Sequence, residues 1–371
     1  MKSIAIDRGT RSVVNPVANP VANPVTNPAT QVGSAESTPR RARSALVDRL
    51  AEVAVRRRLA GLQHGVILLD DGERIEGFGS QTAQCALAVT VRVHDPRFYS
   101  DIAFGGSVGA GEAYMQGWWS VDDLTNLVRI LLHNREVLDG MESGWARLAA
   151  PARKALHWAS RNSRRGSRRN IAAHYDLGND FFRLFLDPTM MYSCARFSRP
   201  GMSLEEASIA KLDSICRKLD LRAGDRVLEI GTGWGGFALH AARHYGCHVT
   251  TTTISREQHA LARERIDAAG LADRVTLLLE DYRDLDAARL GGRFDKLVSI
   301  EMIEAVGHQY YDTFFRACSG LLKPEGLMLL QAITIADRYY AAALKSVDFI
   351  QRYIFPGSCI PSVSALSASI A

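Results

Sequence analysis

The residues best suited to chemistry fall in four places along the chain. The first is VLEIGTGWGGF, residues 227–237, where glycines stand at 231, 233, 235 and 236 behind Glu229. Gly231, Gly233 and Gly236 satisfy G-x-G-x-x-G, and Gly231, Gly233 and Gly235 satisfy the looser E-x-G-x-G-x-G of S-adenosylmethionine enzymes. Both patterns need glycine because the chain turns sharply and its backbone must approach a nucleotide closely. The glycines alone do not choose between the two. A dinucleotide site also wants an acid about 20 residues on, at the end of the next strand. That region reads TTTTIS, and the first acid, Glu257, falls in the following helix, so NAD is disfavoured. In the second place, Glu280-Asp281-Tyr282, an acid and an aromatic ring stand together. They suit the exocyclic amine and the face of adenine, and capping of a turn is the competing role for Asp281.

The third place is HYDLGNDFFRLFLDPTMMYSCARF, residues 174–197, with four phenylalanines, two tyrosines, two methionines and a lone Cys194. By itself such a cysteine is a small core residue. The fourth is KLVSIEMIE, which places Glu304 just past an apolar strand, where catalytic groups belong in a parallel sheet. Its alternative is an ordinary acid at a helix start.

Elements that could hold these groups follow a regular alternation. Strands are expected at 226–231, 248–254, 275–280, 296–303 and 326–335, with KPEG, 323–326, as a turn entering the last. Helices are expected over GGFALHAARHY, EQHALARERIDAAG, YYDTFFRACSGLL and RYYAAALKSVDFIQRYIF. This is the pattern of an α/β, doubly wound, Rossmann-like sheet. Residues 44–150 read as a small N-terminal α+β domain. It has a helix over SALVDRLAEVAVRRRLAGL, two strands around a DDGE turn, the strand CALAVTVRVHD, and a turn before an amphipathic helix ending near NREVL. Trp118 and Trp119 are expected in its core or at a domain interface.

The remainder is organisation rather than chemistry. Asn-Pro recurs every four residues between 15 and 28, which disfavours helix and sheet, so residues 1–43 read as a disordered leader. Residues 151–173 form a basic linker. Arg153, Lys154, Arg161, Arg164, Arg165, Arg168 and Arg169 occur there without an acid between 153 and 169. Such a run is a solvated linker or a surface for anionic lipid. No nucleic-acid motif accompanies it, and no nucleic acid is expected as partner. The chain has 371 residues, is 47% hydrophobic and carries a net charge of +5, as a globular protein does. Cys85, Cys194, Cys216, Cys247, Cys318 and Cys359 form no CxxC pair, which argues against a zinc ribbon or a disulfide framework. No metal is expected. The N-terminus has no signal-like apolar region and no apolar run reaches ~18 residues, so a cytoplasmic chain is expected, neither secreted nor membrane-spanning.

Taken together, these motifs resemble the cyclopropane-fatty-acyl-phospholipid synthase family. The likeness covers roughly residues 80–362. Besides the runs already quoted it rests on TISREQ, EDYRDL, SIEMIEAVGHQYYDTFF, LLKPEGLMLLQAITIADRYY and DFIQRYIFPGSCIPS. It implies methyl transfer from S-adenosylmethionine to the double bond of unsaturated phospholipid acyl chains, giving cyclopropane chains. It also implies attachment to the inner face of a membrane, and it admits a homodimer. Cofactor binding is then expected from Glu229, Gly231, Thr232, Gly233, Trp234, Gly235, Asp281 and Tyr282. Tyr192 and Ser193 would cover the cofactor, and Thr253, Ser255 and Gln258 would hold its ribose and methionine side. The aromatic stretch would line an acyl tunnel, with Cys194 near the reacting carbon. By the same likeness a bound bicarbonate acts as base, held by a set to which Cys194, Glu304 and the fifth-strand position belong.

Two departures accompany the likeness. The fifth-strand position, His in many members, is Gln331, which donates a hydrogen bond but carries no proton; ring, methyl-branched and methylene products all stay open. The sequence ends at PSVSALSASIA, before the two last strands and a later tyrosine that the likeness implies. The expectation is a truncated member with an uncovered, apolar fifth strand prone to aggregate. An inactive, lipid-binding remnant is the alternative.

Overall fold

The computed structural model describes residues 45–143, 166, 167, 171 and 178–370. The Asn-Pro leader, nearly all of the basic linker and the first four residues of HYDLGNDFF lie outside them.

The N-terminal part is a four-stranded sheet with order β2-β1-β3-β4. Its strands are β1 (Gly65–Asp70), β2 (Ile75–Ser80), β3 (Ala88–Val93) and β4 (Trp119–Val121). β1 runs parallel to β3, and the other pairs are antiparallel. Helices α1 (Ala45–Leu59), α2 (Arg97–Met115), α3 (Leu124–His133) and α4 (Arg135–Ser143) complete it. Alternate β1 residues Ile67 and Leu69 point into one apolar cluster with Val55, Phe98 and Ile130, as the period of two in a strand requires. Trp119 belongs to that cluster. Neither α2 nor β4 matches the expected turn over this stretch. The run AFGGSVGAG has the composition of a loop, yet it is helical apart from a break at Gly106, whose φ is 58°. Packing of Phe98, Tyr99 and Ile102 overrides the poor helix propensity of glycine.

The second sheet has five parallel strands in the order β7-β6-β5-β8-β9. They are β5 (Arg226–Ile230), β6 (His248–Thr253), β7 (Val275–Leu279), β8 (Phe294–Ile300) and β9 (Leu322–Gln331). Helices α5 (Asn179–Arg183), α6 (Leu204–Lys218), α7 (Gly236–Tyr245), α8 (Arg256–Ala268), α9 (Tyr311–Leu321), α10 (Asp337–Ala343) and α11 (Val363–Ile370) accompany it. Two apolar clusters cover the sheet, one centred on Leu212, Phe237, Ala241 and Val249, the other on Leu297, Phe314 and Leu321. The strand order reverses between β5 and β8, and the crevice at that switch point is where ligands bind in open α/β sheets.

Two expected boundaries need correction. KPEG is not a free turn. It lies within β9, where the register jumps from Phe294↔Leu322 to Lys296↔Leu327 and a bulge absorbs the extra residues. RYYAAALKSVDFIQRYIF is not one helix. It breaks after Ala343 and resumes as a short π-helix, Ile350–Ile354. No helix among the described residues is long and apolar enough to cross a membrane.

Candidate active site

The glycine loop leaves β5 and enters α7. Gly231, Gly233 and Gly235 have φ values of 103°, 52° and 84°. A Cβ at Gly233 would meet nothing within 4 Å, so the loop opens onto free space there. Gly236 is different. A Cβ there would lie 2.5 Å from Met191 Sδ and 2.8 Å from the Thr189 carbonyl. That glycine lets the Thr189–Met191 segment press onto the start of α7.

Side chains of the loop are mostly scaffold. Trp234 is 1% exposed and packs on Phe182 with ring centroids 4.8 Å apart. Its indole N–H donates to Asn179 Oδ1 at 2.7 Å. What Trp234 can offer a ligand is therefore its backbone. Glu229 is buried and accepts from Thr251 Oγ1 at 2.7 Å, while Thr232 and Thr251 share a 2.7 Å hydroxyl contact. Burial pushes the Glu229 carboxyl up to about 8.

At the end of β6, Thr253 Oγ1 donates to Gln258 Oε1 at 2.8 Å and accepts from the Ser255 N–H at 3.1 Å. Ser255 caps α8 by accepting from the Gln258 N–H at 3.2 Å. The three are brought together, bonded chiefly to one another. After β7, the buried carboxylate of Asp281 is gripped by Arg283, at 2.9 Å to Nε and 2.6 Å to Nη2. It also caps a short 3₁₀ turn. The Tyr282 ring meets the edge of Phe314 at 5.4 Å and joins the α9 core.

The 187–194 segment crosses the mouth of the crevice. Asp187 anchors it by accepting from Ser208 Oγ at 3.0 Å and from the Thr189 N–H at 2.9 Å. Tyr192 is half exposed, edge-on to Phe182 at 5.3 Å, and stacks on Phe355 at 6.4 Å. Ser193 Oγ accepts from Lys211 Nζ at 2.6 Å. Lys211 is 5% exposed, and burial pulls its ammonium down despite the attraction of Glu301.

Cys194, Gln331 and Glu301 meet at one point. The Cys194 N–H donates to Glu301 Oε1 at 3.0 Å. Gln331 Nε2 donates to the same oxygen at 2.8 Å and to Cys194 Sγ at 3.3 Å. Burial, and then the neighbouring Glu301 carboxylate, push the Cys194 thiol up. Glu304 lies one turn further on. Its Oε1 accepts the Ile333 N–H at 2.5 Å, and its buried Oε2 has no hydrogen-bond partner among the described residues. Burial pushes its carboxyl up to about 7. Glu301 has φ 47°, one of three non-glycine residues with positive φ among the described residues. A side chain in that region costs about 1–2 kcal/mol, and such outliers concentrate at functional sites.

Residues 162–371 match the family described as mycolic acid cyclopropane synthetase. The chain belongs to that family. It is similar to the tuberculostearic acid methyltransferase of Mycobacterium tuberculosis, with 42% identity over 268 residues, 70% of this chain and 61% of that protein. It is 40% identical over 286 residues to the cyclopropane-fatty-acyl-phospholipid synthase of Escherichia coli, 75% of this chain and 69% of that one. The chain thus spans between three fifths and seven tenths of the length of these relatives. Among solved structures, the cyclopropane synthase MmaA2 from Mycobacterium tuberculosis aligns with a TM-score of 0.50 and 33% identity, over 55% of this chain and 73% of that one.

Sequence reasoning passed over Glu301, Lys211, Arg265 and Asp187. Lys211 did leave a signal. It shares a helical face with the buried Ser208, Leu212 and Ile215, where a solvated lysine has no place.

Proposed function

We propose that the chain transfers a methyl group from S-adenosylmethionine to the cis double bond of an unsaturated phospholipid acyl chain, giving a cyclopropane. One observation carries this reading. The glycine loop after β5 and the polar groups of Cys194, Glu304 and Gln331 converge on the sheet's switch point, beside an aromatic wall of Tyr192 and Phe355 backed by the buried Phe182. The similarity to a protein named cyclopropane-fatty-acyl-phospholipid synthase supports it.

The residues present fit S-adenosylmethionine. The space beside Gly233 admits a ligand against backbone, and the glycine loop from Glu229 to Gly235 would cradle it. Tyr192 and Ser193 would cover it, and Thr253, Ser255, Gln258, Asp281 and Tyr282 would border it. When bound, it supplies an electrophilic methyl group. A plain alkene is a weak nucleophile, so the chain's task is to hold the two in line. The aromatic wall excludes water and its faces stabilise positive charge on the acyl chain. Exposed Phe181, Leu184, Phe185 and Phe197, on the stretch that crosses the site, suit a lipid surface as substrate source. The basic run at 153–169 suits anionic headgroups.

A second reading has its own support. Gln331 carries no proton, and one similar protein is named a tuberculostearic acid methyltransferase. On that reading the product is a methylene-branched chain, isomeric with the cyclopropane, and a separate hydride donor would be needed to complete a saturated methyl branch. Both are tested by incubating the protein with methyl-labelled S-adenosylmethionine and vesicles of anionic monounsaturated phospholipid. Released acyl chains heavier by one methylene are expected, and fragmentation separates ring from branch. Folded protein that labels no acyl chain would overturn the proposal.

A further inference from the structure

We propose that Glu301 is a catalytic base built into the chain, occupying the place of a bound bicarbonate. The inference rests on the methyl-transfer reading above. Its ground is the hydrogen bonding at the crevice. A small anion held near Cys194 would need the donors the site presents, the Cys194 N–H and the Gln331 amide. Both already point at Glu301 Oε1, at 3.0 and 2.8 Å. An added bicarbonate would have to displace this carboxylate or sit against it, like charge to like charge. The residues present therefore do not fit that group, because the chain supplies its own carboxylate in its stead.

The backbone points the same way. Glu301 follows β8 with φ 47°, a conformation that glycine adopts freely and glutamate does not. Its N–H still donates to the Gln331 carbonyl at 2.8 Å, so the sheet holds it there. The strain is tolerated at the one position that brings a carboxylate onto Cys194 and Gln331. Gln331 gains a reason too. Facing an acceptor-only carboxylate, it must present its NH₂, which then reaches both Glu301 and the Cys194 sulfur.

Other groups around the cluster are less suited to the role. Tyr192, Cys194, Lys211 and Glu304 all face Glu301 electrostatically. The thiol and the Glu304 carboxyl are both pushed toward their protonated forms by burial, and an amide takes no proton. Methyl transfer leaves a cation on the carbon next to the newly methylated one, and the sulfonium's C–S pair stays on sulfur. The second oxygen of Glu301 takes one proton from the new methyl group. The freed C–H pair joins the methyl carbon to the cationic carbon and closes the ring, leaving Glu301 neutral until solvent removes the proton. If a hydride first shifts from the methylated carbon to the cationic one, the cation moves to the methylated carbon, and the same proton transfer lets the freed C–H pair form the double bond of a methylene chain.

The test uses the full chain, labelled S-adenosylmethionine and monounsaturated anionic vesicles in buffer freed of carbon dioxide. Wild type is expected to make labelled product at a rate that added bicarbonate does not change. Glu301→Gln and Glu301→Gly should each lose about 100-fold or more, the scale of general-base catalysis. Glu301→Gly relieves the positive φ, so its Tm should not fall, which separates loss of chemistry from loss of fold. Added bicarbonate or formate should restore Glu301→Gly, where the side chain has left a space, and not Glu301→Gln, where the amide fills it. A wild type that needs bicarbonate, variants as fast as wild type, or an unrestored glycine variant would each overturn the inference. A wild type that labels no acyl chain sinks the methyl-transfer reading and this inference together.

Discussion

Arg265 on α8 donates to the Trp234 carbonyl at 2.6 Å, and through its other terminal nitrogen to the carbonyls of Pro188 at 3.0 Å and Thr189 at 3.1 Å. One half-buried guanidinium thus fastens the segment over the crevice to the glycine loop beneath it. Burial pulls its pKa down, yet it stays charged because guanidinium deprotonates so far above neutrality.

Replacing Arg265 with lysine keeps the charge and loses the planar fork. Hydrogen bonds from charged groups contribute about 1.5–3 kcal/mol each, and a lysine can recover only part of the three. Arg265→Lys should lower stability by about 2 kcal/mol, read as a lower urea midpoint with an unchanged slope. It should also weaken S-adenosylmethionine binding in calorimetry, because both walls of the crevice loosen. Unchanged affinity would mean that the fastening does not shape the cofactor site.

Two glycines of one loop should fail in opposite ways. Gly233→Ala places a methyl group in open space at φ 52°, so its cost to the fold is about 1 kcal/mol of backbone strain. That methyl group would occupy the proposed cradle, and S-adenosylmethionine affinity should fall about tenfold or more. Gly236→Ala drives its methyl group against Met191 and the Thr189 backbone, which costs about 1–3 kcal/mol of overpacking. Parallel thermal melts and binding isotherms would show the contrast, and equal effects on both quantities would contradict it.

The carboxyl of Glu229 gives stability a pH dependence of known sign. Its folded value, about 8, lies above the ordinary 4.5 because the group is buried. Between those pH values the folded chain holds a proton that the unfolded chain has released, so stability falls as pH rises across that window. Glu229→Gln keeps an acceptor for Thr251 and removes the titration. Relative to this variant, wild type should lose on the order of 4 kcal/mol between about pH 5 and about pH 9. Urea titrations of both proteins across the range give the difference directly. A constant difference would mean that Glu229 does not titrate on unfolding.

Much of this architecture is legible in the residues, for identifiable reasons. The parallel sheet announces itself because its strands are apolar runs separated by helices of clear period. The glycine loop does so because few other needs place three glycines behind an acid. α2 escapes notice because its many glycines carry little helical signal, and only the packing of Phe98, Tyr99 and Ile102 accounts for it. KPEG reads as a turn because a bulge is a property of a pair of strands, and one strand alone does not reveal it. In the site, residue type singles out Glu304 and Cys194, while the role of Glu301 depends on a backbone angle and on what Gln331 faces across β8 and β9. Trp234 shows the reverse. Its place in the loop suggests contact with a ligand, and only the packing on Phe182 shows that its ring is structural.

Glu112 of α2 accepts from the Tyr353 hydroxyl at 2.6 Å and pairs with Arg352 at 2.8 Å. Two residues further on, Phe355 stacks on Tyr192, so the chain between 352 and 355 links α2 to the aromatic wall. Glu112 is largely buried, its side chain 12% exposed, which makes this pair worth more than a surface ion pair. Glu112→Ala should cost about 1–3 kcal/mol, and Tyr353→Phe about 1 kcal/mol. The two should not add, because both act on one hydrogen bond; a coupling of about 0.5 kcal/mol or more is expected from the double-mutant cycle. Methyl transfer to vesicles should fall in Glu112→Ala at temperatures where the protein is still folded, because Phe355 loses its tether. Additive stabilities with unchanged activity would show that the N-terminal part does not reach the site through this contact.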